Sequence, residues 1–191
     1  MIKTFGKYEA ELLYSDEFIK AQLFEMASDI VERQQENLCF ITIMKGGLFT
    51  ASNIFDFINF DDFQDPIFGH IGLTSYAGNT TGNKHVKITS HLDLNLDVLK
   101  YRNVWLIDDI TDRGLTMETA KDIMLGYGAN SVKTAVLIDK PCVRKACGYP
   151  KPDVVGIVHN YDDFLIGCGM GIGEKYRYLK DLWKVIKEEG E

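Results

Sequence analysis

Three acids in the run Asp108-Asp109-Ile110-Thr111-Asp112-Arg113-Gly114-Leu115-Thr116 are spaced so that they could do polar chemistry on one ligand. Before them come Val104, Trp105, Leu106 and Ile107, β-prone residues that predict a central strand buried on both faces and ending at the acids. After them, Gly114 permits a sharp backbone turn, and residues 116–120 can open a helix. A strand that feeds a loop and a helix N-terminus offers unpaired N–H groups at the positive end of a helix dipole, a natural seat for a phosphate. Carboxylates beside such a seat suit a ligand with both phosphate and hydroxyls, because acids accept hydrogen bonds from ribose hydroxyls and hold Mg²⁺. The alternative is an acid pair that only caps the following helix.

Other segments add cations and a ring. Met44-Lys45-Gly46-Gly47 joins two glycines, which permit close backbone approach, to one positive charge. That combination serves a pyrophosphate or a plain tight turn. Lys140 follows an apolar run at 131–138, at the carboxyl end of a strand, where open α/β sheets bind ligands. Phe164 stands in Tyr161-Asp162-Asp163-Phe164-Leu165-Ile166-Gly167, either as a stacking ring or as core. Residues 75–85, SYAGNTTGNKH, read as a hairpin loop or as a glycine-rich cover with Tyr76 near its hinge.

The elements that must position these residues follow from hydrophobic periodicity. Residues 12–35 carry a helical pattern with Ser15 as N-cap, and Phe18 at the third helical place gives no capping box. Residues 38–44 read as a strand, 48–58 as a helix, 66–75 and 86 onward as strands, 131–138 as a buried strand and 152–159 as a short one. Gly126 to Asn130 marks a helix stop. Strands alternating with helices imply a parallel sheet covered on both sides. The charged residues 181–191 are expected to form an exposed tail.

From about residue 41 to 179, these segments resemble the type I phosphoribosyltransferases, in the hypoxanthine-guanine branch, and they occur in that family's order. The resemblance implies an α/β fold: a central, mostly parallel twisted sheet flanked by helices, with a small hood formed by terminal segments. It implies one domain over 1–191, with a core at about 36–160 and a hood at about 1–14 and 161–191. The implied reaction moves the 5-phosphoribosyl group from phosphoribosyl pyrophosphate to N9 of a 6-oxopurine, with Mg²⁺ as cofactor. Asp112 takes the catalytic place, as base at purine N7. Asp108 and Asp109 correspond to the acids that bind the ribose hydroxyls and the metal, and Thr111, Arg113, Gly114, Leu115 and Thr116 to the 5-phosphate loop. Lys45, Gly46 and Arg177 fall at the pyrophosphate, after a Met44-Lys45 peptide expected to be cis. Lys140 falls at the exocyclic oxygen of the base, Phe164 at the stacking ring, Leu165 at a backbone contact to the base edge, and Ser75 with Tyr76 at a lid. A homodimer or homotetramer is expected.

The chain departs from the family at three places. Arg113 and Leu115 stand where Thr and Lys are common, and Asp108 replaces a more usual Glu. Gly171 occupies the position of an Asp that helps hold metal near the pyrophosphate, and Gly has no ligand atom there. Two further readings therefore stay open: a regulatory protein that binds phosphoribosyl pyrophosphate with little catalysis, and a transferase shifted toward xanthine. A dinucleotide-binding protein fits least, because no Gly-x-Gly-x-x-Gly follows the first strand.

Composition narrows the partners. A formal net charge of -7 argues against a nucleic-acid surface. No apolar run is long enough for a membrane span and the N-terminus does not look like a signal peptide, so a cytoplasmic chain is expected. The four cysteines form no Cys-x-x-Cys pair and are expected as reduced thiols. The four histidines lack zinc-ligand spacing.

Overall fold

The computed structural model describes the chain apart from residues 34–35, 78–83 and 189–191; at 75–77, 84 and 85 it describes the backbone alone. In chain order the elements are β1 (Ile2–Phe5), β2 (Tyr8–Tyr14), α1 (Asp16–Glu32), β3 (Leu38–Met44) and α2 (Gly47–Phe55). A 3₁₀ turn at Phe60–Asp62 leads to β4 (Ile67–Ala77), β5 (Lys84–Ser90), α3 (Leu96–Leu99), β6 (Asn103–Thr111) and α4 (Leu115–Gly126). The chain ends with β7 (Ser131–Asp139), α5 (Pro141–Ala146), β8 (Val154–Val158), β9 (Leu165–Ile166) and β10 (Leu182–Glu188).

Six strands form the main sheet, in the order β5-β4-β3-β6-β7-β8. All neighbours run parallel except β5, which returns antiparallel on β4. In β3 and β6 alternate residues enter two different cores, which explains why their sequences are continuous apolar runs. Phe40, Trp105 and Ile107 join the core under α1 and α2; Ile41, Ile43, Val104 and Leu106 join the one under α4. This is the expected α/β sheet with helices on both faces.

The strand β6 runs through the acid pair to Thr111 instead of stopping before it, because its backbone stays paired with β7 as far as Thr111 opposite Asp139.

The chain's ends form a second sheet, ordered β1-β2-β10-β9. Two expectations change here. The helix expected from residue 12 begins at Asp16, because residues up to Tyr14 are taken by pairing with β10. Ser15 does cap that helix, its Oγ accepting from the Phe18 N–H.

The expected exposed tail is instead a strand from Leu182, with Leu182 and Trp183 buried and Trp183 edge-on against Phe5. Register shifts after Leu182 and Val185 break the simple alternation, which hid the strand among lysines and glutamates.

Among the described residues, no helix is long and apolar enough to cross a membrane.

Candidate active site

Strand ends create the site. At the carboxyl edge of the main sheet, β3 delivers Lys45 and Gly46, β6 delivers the acids, and β7 delivers Lys140. The terminal sheet closes over them with Phe164, Leu165 and the turn that carries Arg177. Together they line a cavity of about 380 Å³. Fourteen of the sixteen residues expected at a ligand reach it: Lys45, Gly46, Asp108, Asp109, Thr111, Asp112, Arg113, Gly114, Leu115, Thr116, Lys140, Phe164, Leu165 and Arg177. Of the lid expected across 75–85, residues 78–83 and the side chains of Ser75 and Tyr76 lie outside the described residues.

The peptide Met44-Lys45 is cis. Gly46 sits directly against the Asp109 carboxylate, and a Cβ there would collide with it. Gly169, from the terminal sheet, approaches the Gly46 carbonyl as closely. Two backbones thus converge on one acid, which only glycine at 46 and 169 allows.

Asp108 and Asp109 are both 7% exposed, and the Asp108 carboxylate accepts from the Asp109 N–H at 2.9 Å. Lost solvation first, and the neighbouring Asp109 charge second, hold the Asp108 pKa well above the usual carboxylate range. Burial also raises Asp109, against hydrogen bonding from Asp108 and the positive charge of Arg177. A buried pair of carboxylates is the kind of donor set a hard divalent cation takes. Among the described residues no three acids, histidines or cysteines cluster as ligands, so the protein offers this pair and a bound phosphate would supply the rest.

The phosphate side is a backbone feature. Gly114 has φ +92° at the N-cap of α4, and a side chain there would strike Tyr149. Tyr149 is fixed in turn, its carbonyl accepting from Arg144 at 2.8 Å. Arg144 grips Asp139 with two hydrogen bonds, 2.7 and 2.9 Å, both groups buried. A bidentate pair of this kind fixes orientation as well as charge. It holds the end of β7 against α5 and so sets the position of Lys140.

Lys140 is 5% exposed, and its Nζ lies 3.3 Å from Asp112 and 3.5 Å from Asp162. Donor and acceptor therefore stand side by side at the wall of the cavity that Phe164 also lines, and Phe164 is 56% exposed and available to a ring.

The residues 11–170 match the phosphoribosyl transferase domain. The chain belongs to that family. It is 30% identical to the hypoxanthine-guanine phosphoribosyltransferase of Bacillus subtilis, over 91% of this chain and 92% of the relative. It is 27% identical to the hypoxanthine phosphoribosyltransferase of Haemophilus influenzae, over 96% and 99%. The crystal structure of a hypoxanthine phosphoribosyltransferase from Staphylococcus aureus superposes with a TM-score of 0.79 at 25% identity, covering 92% of this chain and 91% of that one.

Against that family background, sequence reasoning passed over several groups. The Arg144–Asp139 grip gives no signal in isolation, since an acid and an Arg five apart across a proline form no helical pair. His159 also meets Asp163, which lines the cavity, at 2.9 Å. Glu174, three residues before Arg177, is another. It contacts Lys45 at 3.1 Å and Arg177 at 3.5 Å.

Proposed function

We propose that this chain is a purine salvage transferase that moves the 5-phosphoribosyl group from phosphoribosyl pyrophosphate to N9 of hypoxanthine and/or guanine. Pyrophosphate leaves, and IMP or GMP forms. One observation carries the reading: the buried acid pair lines one cavity together with two anion seats, the Gly114 turn at α4 and Lys45 with Arg177. A ribose bearing phosphate at one end and pyrophosphate at the other needs that set of groups.

As the bond from C1′ to pyrophosphate breaks, positive charge develops on the ribose and negative charge on the leaving group. Lys45 and Arg177 receive the leaving anion; Asp108 and Asp109 accept the ribose hydroxyls. N9 bonds to C1′ while Asp112 takes the proton at N7 and Lys140 donates to the exocyclic oxygen. Phe164 stacks on the base and Leu165 presents backbone to its edge. Mg²⁺, held by Asp108 and Asp109 with substrate oxygens, would neutralise charge on the pyrophosphate when bound.

The assay supplies Mg²⁺, phosphoribosyl pyrophosphate and hypoxanthine, guanine, xanthine or adenine in turn, beside Asp112→Asn. Turnover of a 6-oxopurine is expected, with the variant slower by about 10²-fold or more. Binding of phosphoribosyl pyrophosphate without turnover of any base would favour the regulatory reading instead, which Gly171 motivates; turnover of xanthine alone would mark the shifted preference. The proposal extends to a homodimer or homotetramer. The exposed rings Phe24 and Phe57, edge to face on one surface, support it, and sedimentation checks it.

A further inference from the structure

The pyrophosphate seat already contains an anion of the chain's own. Glu174 Oε2 lies 3.1 Å from Lys45 Nζ and 3.5 Å from Arg177 Nε, so one carboxylate bridges both cations assigned to the leaving group. The Lys45 hydrogen bond first, and the Arg177 charge next, lower the Glu174 pKa, so the carboxylate is ionised at neutral pH.

Fold stability does not account for it. Lys45 and Glu174 side chains are 66% and 62% exposed, and pairs so open to water contribute little. Glu174 also adopts φ +68°, a left-handed backbone that disfavours Glu and that Gly or Asn would take more easily. Non-glycine residues held in such conformations collect at functional sites.

Nor does Gly171 leave a vacancy that Glu174 merely fills. A Cβ at 171 would collide with the Lys175 carbonyl and Arg177 Cγ, because the turn is closed by the reciprocal Ile172 and Lys175 hydrogen bonds.

We propose that Glu174 is an internal competitor for pyrophosphate, neutralising Lys45 and Arg177 in the free chain and returning to them as the product departs. The inference rests on reading that seat as the pyrophosphate site. Removing the charge should then strengthen anion binding, the opposite of what loss of a structural contact or a metal ligand would do.

The test measures inorganic pyrophosphate binding with Mg²⁺ by titration calorimetry, on the full chain and on Glu174→Gln and Glu174→Asn. Both variants should bind about threefold to fivefold more tightly, the range an exposed ion pair supplies. KM for phosphoribosyl pyrophosphate should fall, and kcat should fall with it where product release limits turnover. Asn, at ease in the left-handed backbone, should also raise Tm, whereas Gln should not. Unchanged or weaker pyrophosphate binding in both variants overturns the inference and leaves the transferase reading standing. Absence of pyrophosphate binding in the unaltered chain, with no effect of Lys45→Ala, overturns both.

Discussion

Asp108 shows how one residue can oppose the fold that carries it. In the unfolded chain its carboxyl ionises near 3.9, about the ordinary value, whereas in the folded, metal-free chain burial and Asp109 raise its pKa well above that. Between those two values the folded state holds the extra proton, so stability is fully present below the unfolded value and is lost as pH rises through the folded one. The metal-free chain should therefore melt at a lower temperature at pH 8 than at pH 5. Asp108→Asn should flatten that dependence and raise Tm at neutral pH by about 2–4 °C, equivalent to about 1 kcal/mol for a chain of this size. Calorimetric melts in chelator check it. A variant no more stable than the parent at pH 8 would show that the pair is compensated from elsewhere. The same substitution should lose activity, since Asn cannot supply a charged oxygen to a cation.

At the scale of elements, the turn between β9 and β10 does what no helix or strand does: it carries cations from the terminal sheet to the main sheet's edge. Its shape depends on Gly169, whose N–H donates to the Arg177 carbonyl at 3.0 Å, while Arg177 Nη1 donates back to the Gly169 carbonyl at 2.7 Å. Gly171 lies inside this loop with no space for a side chain. Placing at 171 the acid that the resemblance leads one to expect, by Gly171→Asp, should therefore destabilise the chain by about 1–3 kcal/mol, the usual cost of overpacking, without adding a metal ligand. Urea unfolding measures the first effect and Mn²⁺ binding the second. A stable variant with tighter metal binding would mean that the turn can open to admit the acid. The strand β10 matters for the same reason. Its buried Trp183 and Leu182 anchor the sheet from which this turn projects.

On the scale of the whole molecule, two cores on either side of one sheet hide half of the thiols. All four cysteines are free, with Cys39 and Cys168 buried and Cys142 and Cys147 exposed. Burial pushes the Cys39 thiol up to about 12 and Cys168 upward as well, so neither forms thiolate at neutral pH. Thiol titration of the native chain should find two fast groups, and four after denaturation; a third fast group would mean that one of the cores opens. Legibility in the sequence follows the range of the forces involved. The strands β3 and β6, the Ser15 cap, the Gly114 turn and the loop beyond Met44 were readable, because local propensity, hydrophobic periodicity and glycine's backbone freedom act within a few residues. The resemblance added roles for Asp112, Lys140, Phe164 and Arg177 that spacing could not supply. Only the tertiary structure brought β10 onto β2, set Gly169 against Gly46, joined Arg144 to Asp139 and laid Glu174 across Lys45. Most of those contacts unite segments far apart along the chain, and the Arg144–Asp139 pair, though five residues apart, depends on how α5 folds back on the end of β7. Their energy depends on distance in space, which the order of residues alone does not determine.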